Sequence, residues 1–193
     1  MSLSLHPLIV LLFFPGGLFL LGSGMFYEWI DRKLVARYQN RLGPRWFQPL
    51  ADVVKLLAKE EIIPQGVHPG LFIILPVIAL ASALTAALYT PLLGLQPYYS
   101  FQGDLIVTLY LLSVMTLSLG LAGANSINRF SLVGATRTIT QLFSYEAPFM
   151  LALLGPAIAA GTWRIAGINE FAGQSLWMIL TQPIGFIVAL IGL

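Results

Sequence analysis

"PGLFIILPVIALASALTAALYTPLL", residues 69–93, is a stretch of 25 residues without a charged side chain. A transmembrane helix needs about 20 apolar residues, so this stretch is long enough to cross a bilayer. Four more apolar stretches occur along the chain, at about 8–30, 104–124, 142–161 and 176–193. The sequence therefore predicts an all-α integral membrane protein with about five transmembrane helices.

The composition of the chain indicates the same class. Hydrophobic residues make up 58% of the 193 residues and charged residues 9%, against about 25% charged residues in soluble domains. The sequence has no cysteine, which excludes disulfides, thiolate zinc sites and cysteine-ligated iron–sulfur clusters within it. His6 and His68 are expected near opposite sides of the membrane, which argues against a shared haem. We therefore expect no cofactor bound by this chain itself, lipid around it and no nucleic-acid partner.

The basic residues are concentrated in one connection between spans. Seven of the ten Lys and Arg lie between Arg32 and Lys59, whereas the connection 94–103 has none. Arg129 and Arg137 precede the fourth apolar stretch. Because basic loops face the cytoplasm, the pattern predicts that the N-terminus and the connections 94–103 and 162–175 are outside. The connections 31–68 and 125–141 are then inside.

The segment 45–64 in the first basic connection has the pattern of an amphipathic helix, which we predict to lie in the membrane interface. Apolar residues recur at helical spacing and charged residues occupy another face, namely Leu50, Val53, Val54 and Leu57 against Asp52, Lys55 and Lys59. Pro49 suits an early helix position and Pro64 a helix stop. We treat residues 1–193 as a single membrane domain. We expect this domain to be incomplete at its C-terminus, because the fifth apolar stretch is uninterrupted at Leu193.

The end of the first span carries charges of both signs. Glu28 and Arg32 are four residues apart and can meet on one helical face. Four further charged residues continue the strip, Asp31, Arg37, Arg41 and Arg45. Charge alone leaves two interpretations open: a positive-inside anchor with local ion pairs, or a polar docking surface at the mouth of a cavity.

One carboxylate, Glu146, lies inside the fourth apolar stretch, two residues before Pro148. An unpaired carboxylate cannot face lipid, so it must face other helices, a hydrated cavity or a cation, unless it reaches the headgroups. Desolvation disfavours the charged form of a carboxylate, which makes Glu146 a candidate protonatable switch. On a helical wheel, Arg137, Gln141 and Ser144 share a stripe opposite to it.

Three separated motifs resemble one family. They read DRKLVARYQNRLGP from Asp31, QPLADVVKLLAKEEIIP from Gln48 and GANSINRFSLVGATRTITQLFSYE from Gly123. In this order they resemble the subunit 1 family of respiratory complex I, whose bacterial members are called the H subunit. They equally resemble the homologous membrane subunits of group 4 membrane-bound nickel–iron hydrogenases and related energy-converting complexes.

The resemblance implies a fold of about eight transmembrane helices and two functional regions. One is the membrane half of a quinone-binding chamber, with the surface that docks a peripheral redox arm. To this region the resemblance assigns Glu28, Asp31, Arg32, Arg37, Arg41, Arg45, Asp52, Lys55 and Lys59. The other is a line of intramembrane acids that couples electron transfer to proton or sodium translocation. To this path it assigns Arg137, Gln141 and Glu146.

The resemblance also implies the surroundings of the chain. The partners would be peripheral-arm redox subunits on the cytoplasmic side and antiporter-like and small membrane subunits. Iron–sulfur clusters or a nickel–iron centre would belong to those partners, and a quinone could bind at the interface. The membrane would be a prokaryotic-type plasma membrane or an organellar energy-transducing membrane.

Two departures from the complex I pattern keep an alternative open. Asp31 stands where complex I proteins usually have Glu, and only Arg45-Trp46-Phe47 separates the GP and QP elements, where those proteins usually have a longer stretch. The short form is more like the hydrogenase-type subunits, which couple hydrogen evolution by their complexes to ion pumping without a quinone. Rivals of another class are a secondary transporter, against which the lack of an internal repeat argues, and a purely structural membrane anchor.

Overall fold

A computed structural model describes residues 10–14, 16–60, 62–92, 96–174 and 183–192 of the chain. These residues form helices and connections and contain no strand. The chain divides into two compact units, Met1–Ile62 and Ile63–Leu193.

The first unit contains helix α1 (Gly17–Tyr38) and helix α2 (Gln48–Leu57), which pack against each other. The chain reverses after α1 at Asn40, whose φ of 55° is in the left-handed region that asparagine tolerates. The Asn40 amide donates to the Arg37 carbonyl (3.1 Å), and the Arg41 amide donates to the Ala36 carbonyl (2.7 Å). This is the Schellman arrangement that ends many helices, so the return of the chain toward α1 is fixed by backbone hydrogen bonds.

The second unit is a series of helices packed in chain order. It contains α3 (Pro69–Tyr89), α4 (Asp104–Asn125), α5 (Arg129–Ala160), α6 (Ile165–Gln174) and α7 (Pro183–Gly192). Helix α4 packs between α3 and α5, and α5 also contacts α6 and α7. The approach of α4 to α5 is close at Gly120, where an added Cβ would come within 2.8 Å of the Ile139 side chain. A small residue at this point allows the two helix backbones to approach.

Large and small apolar residues are distributed as in a membrane helix bundle. The buried positions between helices are mostly small, including Ala79, Ala86 and Ala135, whereas Leu80 and Ile158 are 62% and 72% exposed. Helix association within lipid depends on close packing of small residues, because lipid tails are as apolar as leucine. This pattern therefore fits a bundle whose outer surface faces hydrocarbon.

The structure confirms the predicted all-α membrane fold with about five helices. Among the described residues, four helices are long and apolar enough to span a membrane, Val10–Tyr38, Pro69–Tyr89, Asp104–Asn125 and Arg129–Ala160. The predicted fifth span begins within residues 175–182, which lie outside the described residues, and its described part is α7.

Two predicted connections are helical in the structure. The connection expected at 125–141 shortens to Ser126–Asn128, because α5 begins at Arg129 and not near residue 142. The Asn128 side chain accepts a hydrogen bond from the Phe130 amide (3.0 Å) and caps the helix. The threonines that made this segment look polar bond to carbonyls of their own helix, as Thr140 does to Thr136 (2.8 Å). The connection expected at 162–175 likewise contains α6.

Candidate functional site

A groove of about 640 Å³ lies between α4 and α5 and contains the carboxylate of Glu146. Glu146 lies near the middle of the 32-residue helix α5. Polar side chains from both helices line the groove among apolar ones, including Ser113 and Thr116 of α4 and Gln141 and Tyr145 of α5. Pro148 lacks an amide hydrogen and so leaves the carbonyl of Ser144 without its helical donor. The groove thus offers several polar groups to water or to a proton.

The Glu146 carboxylate is bound across the helix interface. The Ser113 hydroxyl of α4 donates to Glu146 Oε1 at 2.6 Å and also lies 3.1 Å from the Leu109 carbonyl, one turn earlier in α4. Ser113 and Glu146 are both partly buried. The contact holds the carboxylate in the groove between the helices, toward α4.

The three residues predicted for the coupling path are only partly brought together. Gln141 lines the same groove as Glu146, although the helical wheel placed it on the opposite side. The groove is wide enough to receive side chains separated by roughly 140° around the helix axis. Arg137 is exposed, and its nine-residue separation from Glu146 corresponds to about 13 Å along α5. It is therefore too far along α5 to pair directly with the carboxylate.

In the first unit, Arg32 is the centre of an ion-pair network on the surface. It forms an ion pair with Glu28, one turn earlier in α1, and a second with Asp52 of α2 at 2.9 Å. Gln48 also donates to Asp52 (3.3 Å). The Arg32–Asp52 pair joins α1 to α2, whereas the Arg32–Glu28 pair lies within α1.

The Arg32 guanidinium lowers the pKa of the Asp52 carboxyl through its hydrogen bond, and the Gln48 amide acts in the same direction. A carboxyl with a depressed pKa stabilises the fold above its unfolded-state pKa, and this contribution is lost as pH falls through the folded-state value. The Arg32–Asp52 pair is therefore favoured at neutral pH, and its contribution is lost when acid protonates the Asp52 carboxyl below the usual pKa range of aspartate.

The remaining charged residues assigned to docking lie at two kinds of place. Arg37, Arg41 and Arg45 line a concavity formed by the end of α1 and the connection to α2. Three others are exposed on the surface of the unit, Asp31, Lys55 and Lys59. Within the described residues, none of these six side chains forms an ion pair. Nor does any group of three or more histidine, aspartate or glutamate side chains in those ranges form a metal-ligand set.

Sequence reasoning missed two residues that organise the second unit. Ser113 is the partner of Glu146, and the only signal for it is a hydroxyl within an apolar span. Asp104 is the first residue of α4 and is fully buried. Its Oδ1 accepts from the Ile165 amide at 2.8 Å and its Oδ2 from the Ser100 hydroxyl at 3.2 Å. Asp104 thereby caps α6 and explains why the predicted outer connection is helical.

Comparisons with known proteins agree on one family. The family model described as NADH dehydrogenase matches residues 9–193. The NADH-quinone oxidoreductase H subunit of Carboxydothermus hydrogenoformans is 38% identical over 177 residues, which cover 88% of this chain and 50% of that protein. The H subunit of Dehalococcoides mccartyi strain CBDB1 is 33% identical over 193 residues (96% and 53%), and that of Helicobacter acinonychis is 32% identical over 185 residues (87% and 56%).

The chain spans about half the length of these curated relatives. The match runs through nearly all of the chain, including the span that carries Glu146 and the connection that carries the basic residues. Together with the apolar helices described above, it makes the chain a membrane protein related to a subunit of complex I. The chain belongs to the NADH dehydrogenase family represented by the H subunits of NADH-quinone oxidoreductases.

Proposed function

We propose that this chain is a membrane-embedded coupling subunit of a complex I-like oxidoreductase. It anchors a peripheral redox arm, and it transfers the free energy of electron transfer to proton or sodium translocation through Glu146. The observation that carries this proposal is the 2.6 Å bond from Ser113 to Glu146 in the groove between α4 and α5. An acid held between helices by a single hydroxyl can gain or lose a proton without losing its place in the fold.

The surface of the first unit supports the anchoring role. Lys55 of α2 and Lys59, which follows the helix, are exposed and, within the described residues, neither forms an ion pair with a carboxylate. Exposed, unpaired cations favour association with acidic surfaces. In this proposal the N-terminus is outside and the basic surface faces the cytoplasm, where the redox arm docks beside a chamber for the electron acceptor.

A second candidate is a hydrogenase-type subunit that couples hydrogen evolution to ion pumping without a quinone. The short connection between α1 and α2 favours it, because the chain returns against α1 directly after the turn at Asn40. The Trp29 indole donates to the Pro44 carbonyl at 3.3 Å and holds this return close to the helix. The connection between α1 and α2 is therefore too short to form a long loop over a quinone.

Isolation of the intact complex through a tag on this chain separates the two candidates. A quinone-reducing complex is expected to co-purify with iron–sulfur subunits, to contain no stoichiometric nickel and to reduce a short-chain quinone analogue. Stoichiometric nickel together with hydrogen evolution would instead establish the hydrogenase-type complex. Recovery of this chain with neither set of subunits, and with solute transport in liposomes, would overturn both in favour of a transporter.

Replacement of Ser113 with Ala is expected to lower ion translocation several-fold in proteoliposomes that contain the whole complex. The variant removes the only hydroxyl that contacts Glu146 among the described residues, so the carboxylate loses its orienting partner. Ser113→Thr keeps a hydroxyl and is expected to recover most of the translocation. Thr116→Val is the matched control, because the Thr116 hydroxyl lines the groove and bonds one turn back along α4, as that of Ser113 does, but within the described residues it forms no hydrogen bond with Glu146. Equal losses in the Ala and Thr variants would contradict the orienting role.

A further inference from the structure

A cationic concavity of about 760 Å³ lies in the first unit, at the point where α1 turns from apolar to charged. Of the residues that the structure describes, four cations and no carboxylate line it, namely Lys33, Arg37, Arg41 and Arg45. The volume is within the roughly 300–1,000 Å³ of sites that hold small molecules or headgroups. The chain thus has a site-sized concavity whose charge is all of one sign.

The concavity is built by specific contacts. The Schellman turn at Asn40 reverses the chain, and the Trp29–Pro44 hydrogen bond holds the return against α1. Gly43 permits the close approach, because an added Cβ would lie 3.1 Å from the Cα of Lys33. Lys33 in turn lies over the Trp29 ring, 4.6 Å from its centroid. Helix spacing places Lys33 and Arg37 on one face of α1, so the cations converge on one space.

The carboxylates of the unit are engaged elsewhere or lie outside this lining. Glu28 and Asp52 both pair with Arg32, which is not part of the lining. Within the described residues, none of the four lining cations forms an ion pair. Convergent cations repel one another unless an anion lies between them. The lining therefore favours an anionic ligand.

The surroundings of the concavity are those of an amphiphile and not of a soluble anion. Trp46 and Leu42 at its rim are 76% and 103% exposed. The face of α1 that leads to it presents the exposed apolar side chain of Phe26, which is within about 20° of Lys33 and Arg37 around the helix axis. Phe26 is 11 residues before Arg37, or about 16 Å along the helix, which an acyl chain can span. Aromatic side chains beside cations are typical of the membrane–water interface.

We propose that the concavity lined by Lys33, Arg37, Arg41 and Arg45 binds the phosphate headgroup of an anionic phospholipid, whose acyl chains lie along the exposed apolar face of α1. Arginine and lysine at such a depth attract anionic headgroups, and basic pockets beside membrane helices hold them selectively. This lipid site is independent of the coupling role of Glu146, because the two lie in different units of the chain.

Tryptophan quenching by brominated lipid tests the site in the 193-residue chain. Trp163→Phe and Trp177→Phe leave Trp29 and Trp46 as reporters, both of which line the concavity. The protein is placed in phosphatidylcholine nanodiscs that contain roughly a tenth of either brominated phosphatidylglycerol or brominated phosphatidylcholine. Phosphatidylglycerol is expected to quench more strongly. Arg37→Gln with Arg41→Gln is expected to reduce this preference roughly 25-fold, since each basic residue near an anionic headgroup contributes about a factor of five.

The matched control is Lys55→Gln with Lys59→Gln, which removes the same charge from the same unit but not from the lining. This control should keep the preference. Equal quenching by the two lipids, or equal losses in the two double variants, would overturn the proposal. Displacement of the lipid by millimolar glycerol 3-phosphate would assign the site to a soluble phosphate and overturn it too. The proposal would also be overturned if the Arg37/Arg41 variant kept its lipid preference but the intact complex lost its peripheral subunits.

Native mass spectrometry is a second test of lipid binding, and it does not require the Trp163→Phe and Trp177→Phe substitutions. A phosphatidylglycerol adduct that survives gentle detergent removal is expected for the wild type and for the Lys55/Lys59 control. Loss of the adduct in the single variant Arg41→Gln supports the site even if the double variant does not fold. Retention of the adduct in Arg41→Gln, together with unchanged quenching in that variant, counts against it.

Discussion

Replacement of Glu146 with Gln is expected to lower the rate of ion translocation more than tenfold in a complex that still assembles. Gln has nearly the same shape, and its carbonyl oxygen can still accept the hydrogen bond from Ser113, so the packing of α4 on α5 should be kept. The amide cannot take up and release a proton in the neutral pH range. Translocation is measured by a pH-sensitive dye in proteoliposomes and assembly by the subunit composition of the purified complex.

Glu170→Gln is the control for this experiment. Glu170 is an exposed carboxylate whose Oε1 accepts from the Gln96 amide at 3.4 Å, so its loss removes the same charge from the same unit without touching the groove. It should translocate normally. Unchanged translocation in Glu146→Gln would remove Glu146 from the mechanism, and loss of assembled complex in that variant would assign it a structural role. In neither case would the lipid site on the first unit be affected.

Replacement of Asp104 with Ala is expected to destabilise the second unit by about 2–4 kcal/mol, because it removes a fully buried acceptor of two hydrogen bonds. The Ile165 amide and the Ser100 hydroxyl lose their partner, and a cavity replaces the carboxyl group. In a chain of this size such a loss corresponds to a melting temperature lower by roughly 5–15 °C. The measurement is thermal unfolding of the purified chain in detergent, followed by circular dichroism.

Two further variants are the controls for the Asp104→Ala experiment. Asp104→Asn keeps one carbonyl acceptor for the Ile165 amide and should lie between the wild type and Asp104→Ala. Asp31→Ala removes an exposed carboxylate and should leave the melting temperature nearly unchanged. Hydrogen exchange should increase first over α6, whose first turn Asp104 caps. A melting temperature of Asp104→Ala within one degree of the wild type would show that the α4–α6 connection does not depend on this carboxyl.

Composition and hydropathy were enough to predict the all-α membrane fold, because a span in lipid is selected by length and apolarity alone. The second and third spans were predicted within a few residues of α3 and α4 for the same reason. The start of α5 was not, because a helix that continues beyond the apolar stretch leaves no hydropathy signal. Asn128 and the threonine hydroxyls that bond within α5 make that continuation favourable, and single-residue caps are weak sequence signals.

A membrane protein with a cluster of basic residues in one connection and an acid within a span was predictable from the kinds of residue present and their order along the chain. The contacts of those residues were not: Ser113 with Glu146, Asp104 with Ile165, and four cations around one concavity. These contacts join residues up to 61 positions apart or depend on a turn at one asparagine. The geometry of such contacts is set by how the helices pack, and no local pattern of residues specifies it.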